Sequence, residues 1–318
     1  MDHYAIQIEL ETVAAEYAAV FCLENIGDGF HTSTSYLVPA VRDGVAVFLK
    51  VIRPDKNERF AAELCRHFDG HGIVRILEER ETAQDFHVHL YERVISDDIS
   101  LKEMAKSGVA GDEQATRIIC QVVREFISVP LADFEVRKAQ TFEWRARHVH
   151  AVVKEGIAPE NLLRLFGQVL SLHESFLKRF EGRFVFGHGD AHHFNILHDG
   201  QKDRWVAIDP HGVLAPLPFH LACLGINPYE GLVGEVAVPL QDGRMARLVE
   251  ILAEEFQDFG VTSRDFLEAI WLNALYIAAM RYRQLLYPGE VPMGYFMAVA
   301  QQAAQLLGQN DDLVVYDI

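Results

Sequence analysis

Cysteine is scarce and scattered in this chain. Cys22, Cys65, Cys120 and Cys223 form no Cys-x-x-Cys pair, which argues against a zinc ribbon or a disulfide framework and for buried, reduced thiols. Long apolar runs are also missing. The most apolar helix-like stretch, Ala269 to Met280, is bounded by Glu268 and Arg281. It falls short of the ~20 residues that a bilayer-spanning helix needs. The N-terminus is too acidic and too mixed for a signal peptide, so the expectation is a cytoplasmic protein with no membrane partner. Basic residues are few: 29 Lys and Arg face 46 Asp and Glu, a formal charge of −17. Such a surface is unsuited to nucleic acid. It keeps a chain soluble and suits a cationic small molecule. No internal repeat and no low-complexity tract is visible, and nothing in the sequence fixes an oligomeric state.

The 318 residues exceed the usual size of one domain, about 100–200 residues, so two lobes are expected. The first third reads as strands with one helix inserted. Thr34–Pro39 and Val45–Ile52 are apolar and β-branched, and Arg42-Asp43-Gly44 between them reads as a hairpin turn. Asn57 to Phe68 carries Phe60, Leu64 and Phe68 at helical spacing, closed by Asp69-Gly70-His71-Gly72. Val74–Leu77 and Phe86–Val94 read as two further strands. In the second, His87, His89 and Tyr91 alternate with Phe86, Val88 and Leu90, as on a half-buried strand. His87, His89, His148 and His150 read as surface or half-buried histidines. After Ser96 the pattern becomes helical: Leu101–Ser107, Asp112–Ile127, Phe142–Glu155, Pro159–Phe180, Arg244–Phe259, Arg264–Leu286 and Tyr295–Leu307. Short strands near Phe184–Phe186, Asn195–Leu197 and Arg204–Ile208 interrupt it, the first two read as a pair. The fold expected is α+β and bilobal, with a small β-rich lobe at 1–95 and a larger helical lobe at 96–318.

The chemistry is concentrated in the interruption. His188-Gly189-Asp190-Ala191-His192-His193-Phe194-Asn195 sets Asp190 and Asn195 at the spacing of a kinase catalytic loop, His-x-Asp-x-x-x-x-Asn. Asp209 follows one short hairpin later, where such enzymes keep a second Mg²⁺-binding carboxylate. One carboxylate orients an attacking hydroxyl, while an amide and a second carboxylate hold the metal that neutralises the transferring phosphoryl group. Asp190 is thus the candidate catalytic group, with His188 buttressing its loop, and Asn195 and Asp209 are the candidate Mg²⁺ ligands. Lys50 ends the apolar strand from Val45 and resembles the kinase lysine that meets the nucleotide phosphates. Glu63 on the next helix is its preferred partner and Glu58 the rival. Gly27-Asp28-Gly29-Phe30-His31-Thr32-Ser33 lies upstream, and Gly27, Gly29, Thr32 and Ser33 are candidates for phosphate contact. A different reading makes His188, Asp190, His192, His193, Asp209 and His211 the ligands of a zinc or two-metal hydrolase.

Together these residues resemble the aminoglycoside phosphotransferase family, in its streptomycin 6-kinase/hydroxyurea phosphotransferase branch. The branch pattern His-Gly-Asp-Leu-His-His-x-Asn-Ile/Val-Leu is matched by His188 through Leu197, with Ala191 in place of leucine. Trp205 through Gly212 matches Trp-Leu-x-Ile-Asp-Pro-x-Gly, and Asp69 through Leu77 resembles Asp-Gly-x-Gly-Ala-Val-Arg-Leu-Leu, with Asn227-Pro228 also in place. The likeness runs from about Gly27 to Pro228. It implies a protein-kinase-like fold and an ATP- and Mg²⁺-dependent phosphotransferase. The acceptor implied is a small-molecule hydroxyl, of an aminoglycoside-type antibiotic or hydroxyurea, with adenine at the crossing near Glu92–Val94. A metabolite kinase of the same fold and a non-catalytic nucleotide-binding protein are the alternatives. There are departures. Where the branch has Gly-Asp/Glu-Pro-x-Tyr-Asp-Leu-Ala, this chain has Ala215-Pro216-Leu217-Pro218-Phe219-His220-Leu221-Ala222. Two carboxylates are lost, and His220 stands where the second one braces the catalytic loop. His211 replaces a frequent lysine.

Overall fold

A computed structural model describes residues 3–32, 34–54, 60–128, 140–141, 143–229, 237–283 and 292–308. The chain opens with a helix, α1 (His3–Val20), which the strand-rich reading of this region does not contain. Then come β1 (Phe30–His31), β2 (Ser35–Arg42), β3 (Val45–Ile52), α2 (Ala61–Phe68), β4 (Ile76–Glu81) and β5 (His87–Glu92). The strands form one antiparallel sheet in the order β1-β2-β3-β5-β4. The β2–β3 hairpin turns through Asp43 and Gly44, both with positive φ (51° and 78°), as a tight hairpin requires.

Both faces of this sheet are covered, and that decides where its polar side chains go. On one face Val47, Leu49, Val51, Val88 and Leu90 pack against Ile6, Leu10, Val13 and Ala14 of α1. Lys50 and His89, opposite each other in the β3–β5 register, belong to the other face. Both are buried there. His89 is therefore not a surface or half-buried histidine. Its Nδ1 lies 2.9 Å from the Tyr91 hydroxyl, and burial, with Lys50 nearby, pushes its pKa down to about 3.

The rest of the chain is mainly helical: α3 (Leu101–Lys106), α4 (Val109–Ile127), β6 (Gln140–Thr141), α5 (Glu143–Glu155), α6 (Glu160–Arg179), β7 (Phe184–Gly187), β8 (Ile196–Asp199), β9 (Arg204–Ala207), β10 (Val213–Pro216), α7 (Leu217–Leu221), α8 (Arg244–Glu255), α9 (Ser263–Tyr282) and α10 (Met293–Leu306). α9 is buried along nearly its whole length and runs through a large apolar core. Its start is fixed by a capping box between Thr262 and Asp265. The strand pairing differs from the sequence expectation. β7 pairs with β10, antiparallel, and β8 pairs with β9. A strand at Val213–Pro216 supplies the partner that Phe184–Phe186 lacks in the local reading. Among the described residues no helix is long and apolar enough to cross a membrane.

Backbone contacts tie the sheet-bearing part to both ends of the β8–β9 hairpin. Gly72-Ile73-Val74 runs beside β9, with Ala207 N–H donating to Gly72 O and Val74 N–H to Ala207 O, both 2.8 Å. Ser96 bridges Asp199 at the other end. Gly72 has φ of 64°, and a Cβ there would stand 2.7 Å from the Val122 carbonyl of α4. The second glycine of the Asp-Gly-x-Gly segment is thus explained by packing: only a glycine lets this segment reach the hairpin that leads to Asp209.

Candidate active site

The β8–β9 hairpin sets the metal-type ligands side by side. Asn195 directly precedes β8 and Asp209 follows β9 by two residues, with Ile196 opposite Ala207 and Ile208 N–H donating to Asn195 O at 2.8 Å. Asn195 Nδ2 donates to the Asp190 carbonyl at 3.0 Å and to Asp190 Oδ2 at 3.3 Å. This turns the amide nitrogen toward Asp190 and leaves the amide oxygen available as a hard donor. Asp209 sits at φ of 56°, and one of its oxygens is paired with the Lys50 ammonium. Its other oxygen and the Asn195 oxygen are the ligand type that Mg²⁺ prefers.

Asp190 lies in a dense field. Burial pushes its pKa up, but His192, His211 and Arg145 outweigh burial and hold the carboxyl well below the usual range. His192 Nε2 is 3.3 Å from Asp190 Oδ2. A carboxylate so strongly stabilised is a weak base. It suits orienting a hydroxyl and receiving its proton as transfer completes, rather than ionising it beforehand. Burial also pushes the Asp209 carboxyl up, and Lys50 and His211 override it downward.

His188 is fully buried, and both its ring nitrogens are used by backbone. Nε2–H donates to Ile208 O at 2.7 Å, and Nδ1 accepts from Asp190 N–H at 3.2 Å. The ring thereby joins the Asp190 loop to the strand leading into Asp209, and the His188 backbone carbonyl accepts from the His211 N–H at 2.9 Å. A ring with both nitrogens so engaged cannot ligate zinc. His193 is buried elsewhere, under the influence of Arg244 and His192. The hydrolase reading therefore loses its first ligand, and among the described residues no group of three His, Cys, Asp or Glu side chains converges as a metal site.

His220 likewise has both nitrogens in use: Nε2 lies 3.1 Å from Val185 O and Nδ1 accepts from Gly189 N–H at 3.2 Å. Burial pushes His188 and His220 down to about 4. Because the unfolded chain protonates first, near pH 6.5, the folded protein loses stability as pH falls from about 6.5 toward 4. The slope approaches about 1.4 kcal/mol per pH unit for each ring. Buried His89 and His193 add to the loss in the same direction, so urea denaturation at pH 7 and pH 5 measures the sum, and equal stabilities would contradict buried neutral imidazoles.

The remaining sequence candidates distribute as follows. Gly27 and Gly29 lie on the arm entering β1, not in the β1–β2 turn. Gly27 N–H donates to Pro39 O at 2.8 Å, and a Cβ on Gly29 would collide with the Tyr36 hydroxyl at 2.2 Å. Their small size serves packing against β2. Thr32 is in the turn, where its Oγ1 accepts from Ser35 N–H at 3.0 Å and Thr34 N–H at 3.2 Å. Ser33 and Glu58 lie outside the described residues. Glu63 is on the first turn of α2, and Lys50 pairs with Asp209. At the crossing, Glu92 N–H donates to Arg75 O and its side chain pairs with Lys202. Glu92 thus has no amide hydrogen to offer a base. The Val94 N–H has no partner among the described residues.

Sequence reasoning missed Arg145 and Cys223. Arg145, on α5, donates to the Gly189 carbonyl at 3.3 Å and lies over the Phe219 ring at 5.1 Å. Burial pushes the Cys223 thiol well up, so its proton stays and Sγ–H donates to the Ala191 carbonyl at 3.0 Å. No local motif marks Arg145. The signal for Cys223 was its spacing of one helical turn from His220, at the motif's point of departure.

Similarity to known proteins bears on this geometry. A streptomycin 3''-kinase from Klebsiella pneumoniae is 29% identical over 209 residues, 64% of this chain and 68% of the relative. A thermostable mutant of aminoglycoside phosphotransferase APH(4)-Ia, solved with ADP and hygromycin B, shares the fold at a TM-score of 0.54. It is 12% identical, with 95% of this chain and 97% of that one covered. An ethanolamine kinase from Plasmodium vivax superposes with a TM-score of 0.59 at 12% identity, covering 89% of this chain and 82% of that one. The model of the aminoglycoside/hydroxyurea antibiotic resistance kinases matches residues 22–279. The Asp190–Asn195 loop, the Asp209 hairpin and the protein-kinase-like fold thus stand in a chain that belongs to the aminoglycoside/hydroxyurea antibiotic resistance kinase family, and it is a small-molecule kinase.

Proposed function

We propose that this kinase moves the γ-phosphoryl group of ATP to a hydroxyl of a cationic small molecule, an aminoglycoside-type antibiotic first among them. The observation that carries the reading is the convergence of Asp190, Asn195, Asp209 and Lys50 around one hairpin end. Residues 1–95 then act as the nucleotide lobe and 96–318 carry catalysis and the acceptor. Lys50 supplies charge to the nucleotide phosphates and the Val94 amide hydrogen meets the adenine. Asn195 and Asp209 offer oxygen ligands to Mg²⁺, which when bound withdraws negative charge from the phosphates. Asp190 holds the acceptor hydroxyl in line and takes its proton. The hydroxyl oxygen forms the new bond to phosphorus, and the bond to the departing ADP oxygen breaks.

The formal charge of −17 supports a cationic acceptor, a property that streptomycin and ethanolamine share and hydroxyurea lacks. The kinases named above for these acceptors are, respectively, a sequence relative and a fold relative. Transfer from labelled ATP to streptomycin, hygromycin B, spectinomycin, ethanolamine and hydroxyurea tests the class. Turnover of amine-bearing acceptors, with KM rising as salt is added, is expected. Turnover of hydroxyurea alone would refute the cationic acceptor.

A further inference from the structure

The backbone that carries Asp190 is held by side chains. Gly189 N–H goes to His220, Gly189 O to Arg145, Asp190 N–H to His188, Asp190 O to Asn195 and Ala191 O to Cys223. Three of these five partners, Arg145, His220 and Cys223, come from behind the loop, on α5, α7 and the 3-10 turn Ala222–Gly225. The family pattern places a carboxylate at the position of His220, and its loss leaves open how the loop keeps its shape.

We propose that His220 is a positioning residue for phosphoryl transfer, its imidazole holding the Gly189 amide and through it the Asp190 carboxylate. The geometry fixes the tautomer. The Val185 carbonyl can only accept, so Nε2 carries the hydrogen and Nδ1 is left to accept from Gly189. The ring cannot drift: it is fully buried, and a Cβ on Gly187 would stand 2.8 Å from its Nδ1. It also spans two elements, since Val185 is on β7 and Gly189 follows that strand's end. A carboxylate could accept from Gly189 too, but it would add a negative charge beside Asp190. Imidazole braces the loop without that charge, and it donates to β7 as a carboxylate cannot. Gly189 itself, at φ of 80°, turns the chain toward Asp190, so loss of its anchor displaces the catalytic carboxylate directly. A shift of about 1 Å in such a group costs on the order of 100-fold in rate.

This inference rests on the kinase reading, and its test separates the two. In the full-length protein, His220→Phe removes donor and acceptor. His220→Asn keeps an acceptor near the place of Nδ1, and His220→Gln keeps a donor near that of Nε2 but displaces the acceptor. The Phe and Gln variants are expected to lower kcat by about 10–100-fold with the KM for ATP within about twofold. The Asn variant should restore most of kcat. Hydrogen exchange at the Gly189 amide should quicken in Phe and Gln and stay slow in Asn. Should the Phe variant fail to fold, the comparison of Asn with Gln carries the test. Equal kcat and equal exchange in Asn and Gln would overturn the role of His220. Absence of transfer by the wild type to any acceptor would instead overturn the kinase reading, while the exchange measurement still reports on the brace.

Discussion

Replacing Asp190 by alanine lowers phosphoryl transfer by about 10²–10⁴-fold, the range for removing a positioned acid–base group, and leaves nucleotide affinity nearly unchanged. The separation follows from where Asp190 sits. Its carboxylate contacts Asn195 and His192, and Lys50 is paired with Asp209 instead. In the proposed mechanism its loss therefore removes the group that orients the acceptor hydroxyl, not the groups that hold phosphate. Asparagine at the same place should be nearly as damaging, because an amide keeps the shape but takes no proton. Steady-state kinetics with the acceptor, beside nucleotide titration by calorimetry, reads both quantities. A variant with undiminished kcat would remove Asp190 from the mechanism.

Asp209→Ala has the second large effect, and it falls on binding. In the proposed mechanism the mutation deletes one oxygen ligand of Mg²⁺, and it also removes a carboxylate paired with a buried ammonium. Mg²⁺-dependent nucleotide affinity should drop by more than the roughly 10–100-fold that loss of an outer-shell partner costs a metal site. Metal-free nucleotide binding should change far less, since the deleted carboxylate repels the phosphates when no cation stands between them. A titration with and without Mg²⁺ measures the difference. Equal losses in both would mean that Asp209 serves only to hold Lys50.

The parts of this site legible in the sequence are those set by local spacing. Asp190 and Asn195 are bound to each other within one turn of chain, and Asp209 is brought to them by a short hairpin. The glycines of the first loop read as candidates for phosphate contact, and what packs against them is not visible in the sequence. Gly29 is small because of Tyr36, a neighbour in the next strand. α1 escaped because Ile6-Gln7-Ile8-Glu9-Leu10-Glu11 alternates as a strand does. The helix nevertheless buries Ile6, Leu10, Val13 and Ala14, the helical period, once a sheet face lies beneath it. That missing layer also made His89 seem half-buried. The β7–β10 pairing joins segments separated by the whole β8–β9 hairpin, so no local pattern announces it. Arg145 is farther still: its contact with Gly189 exists only when α5 packs behind the loop. The His220 replacement looked like damage in the sequence. In three dimensions the imidazole accepts a hydrogen bond from the Gly189 amide, one residue before Asp190.

The most direct test of the account is transfer of labelled γ-phosphate from ATP by the wild-type protein, with Mg²⁺ and a panel of hydroxylated acceptors, beside the Asp190→Ala variant. Label should appear on an acceptor with the wild type, vanish when Mg²⁺ is chelated and be nearly absent with the variant. Equal labelling of an acceptor by both proteins, or no labelling of any acceptor by the wild type, would contradict it.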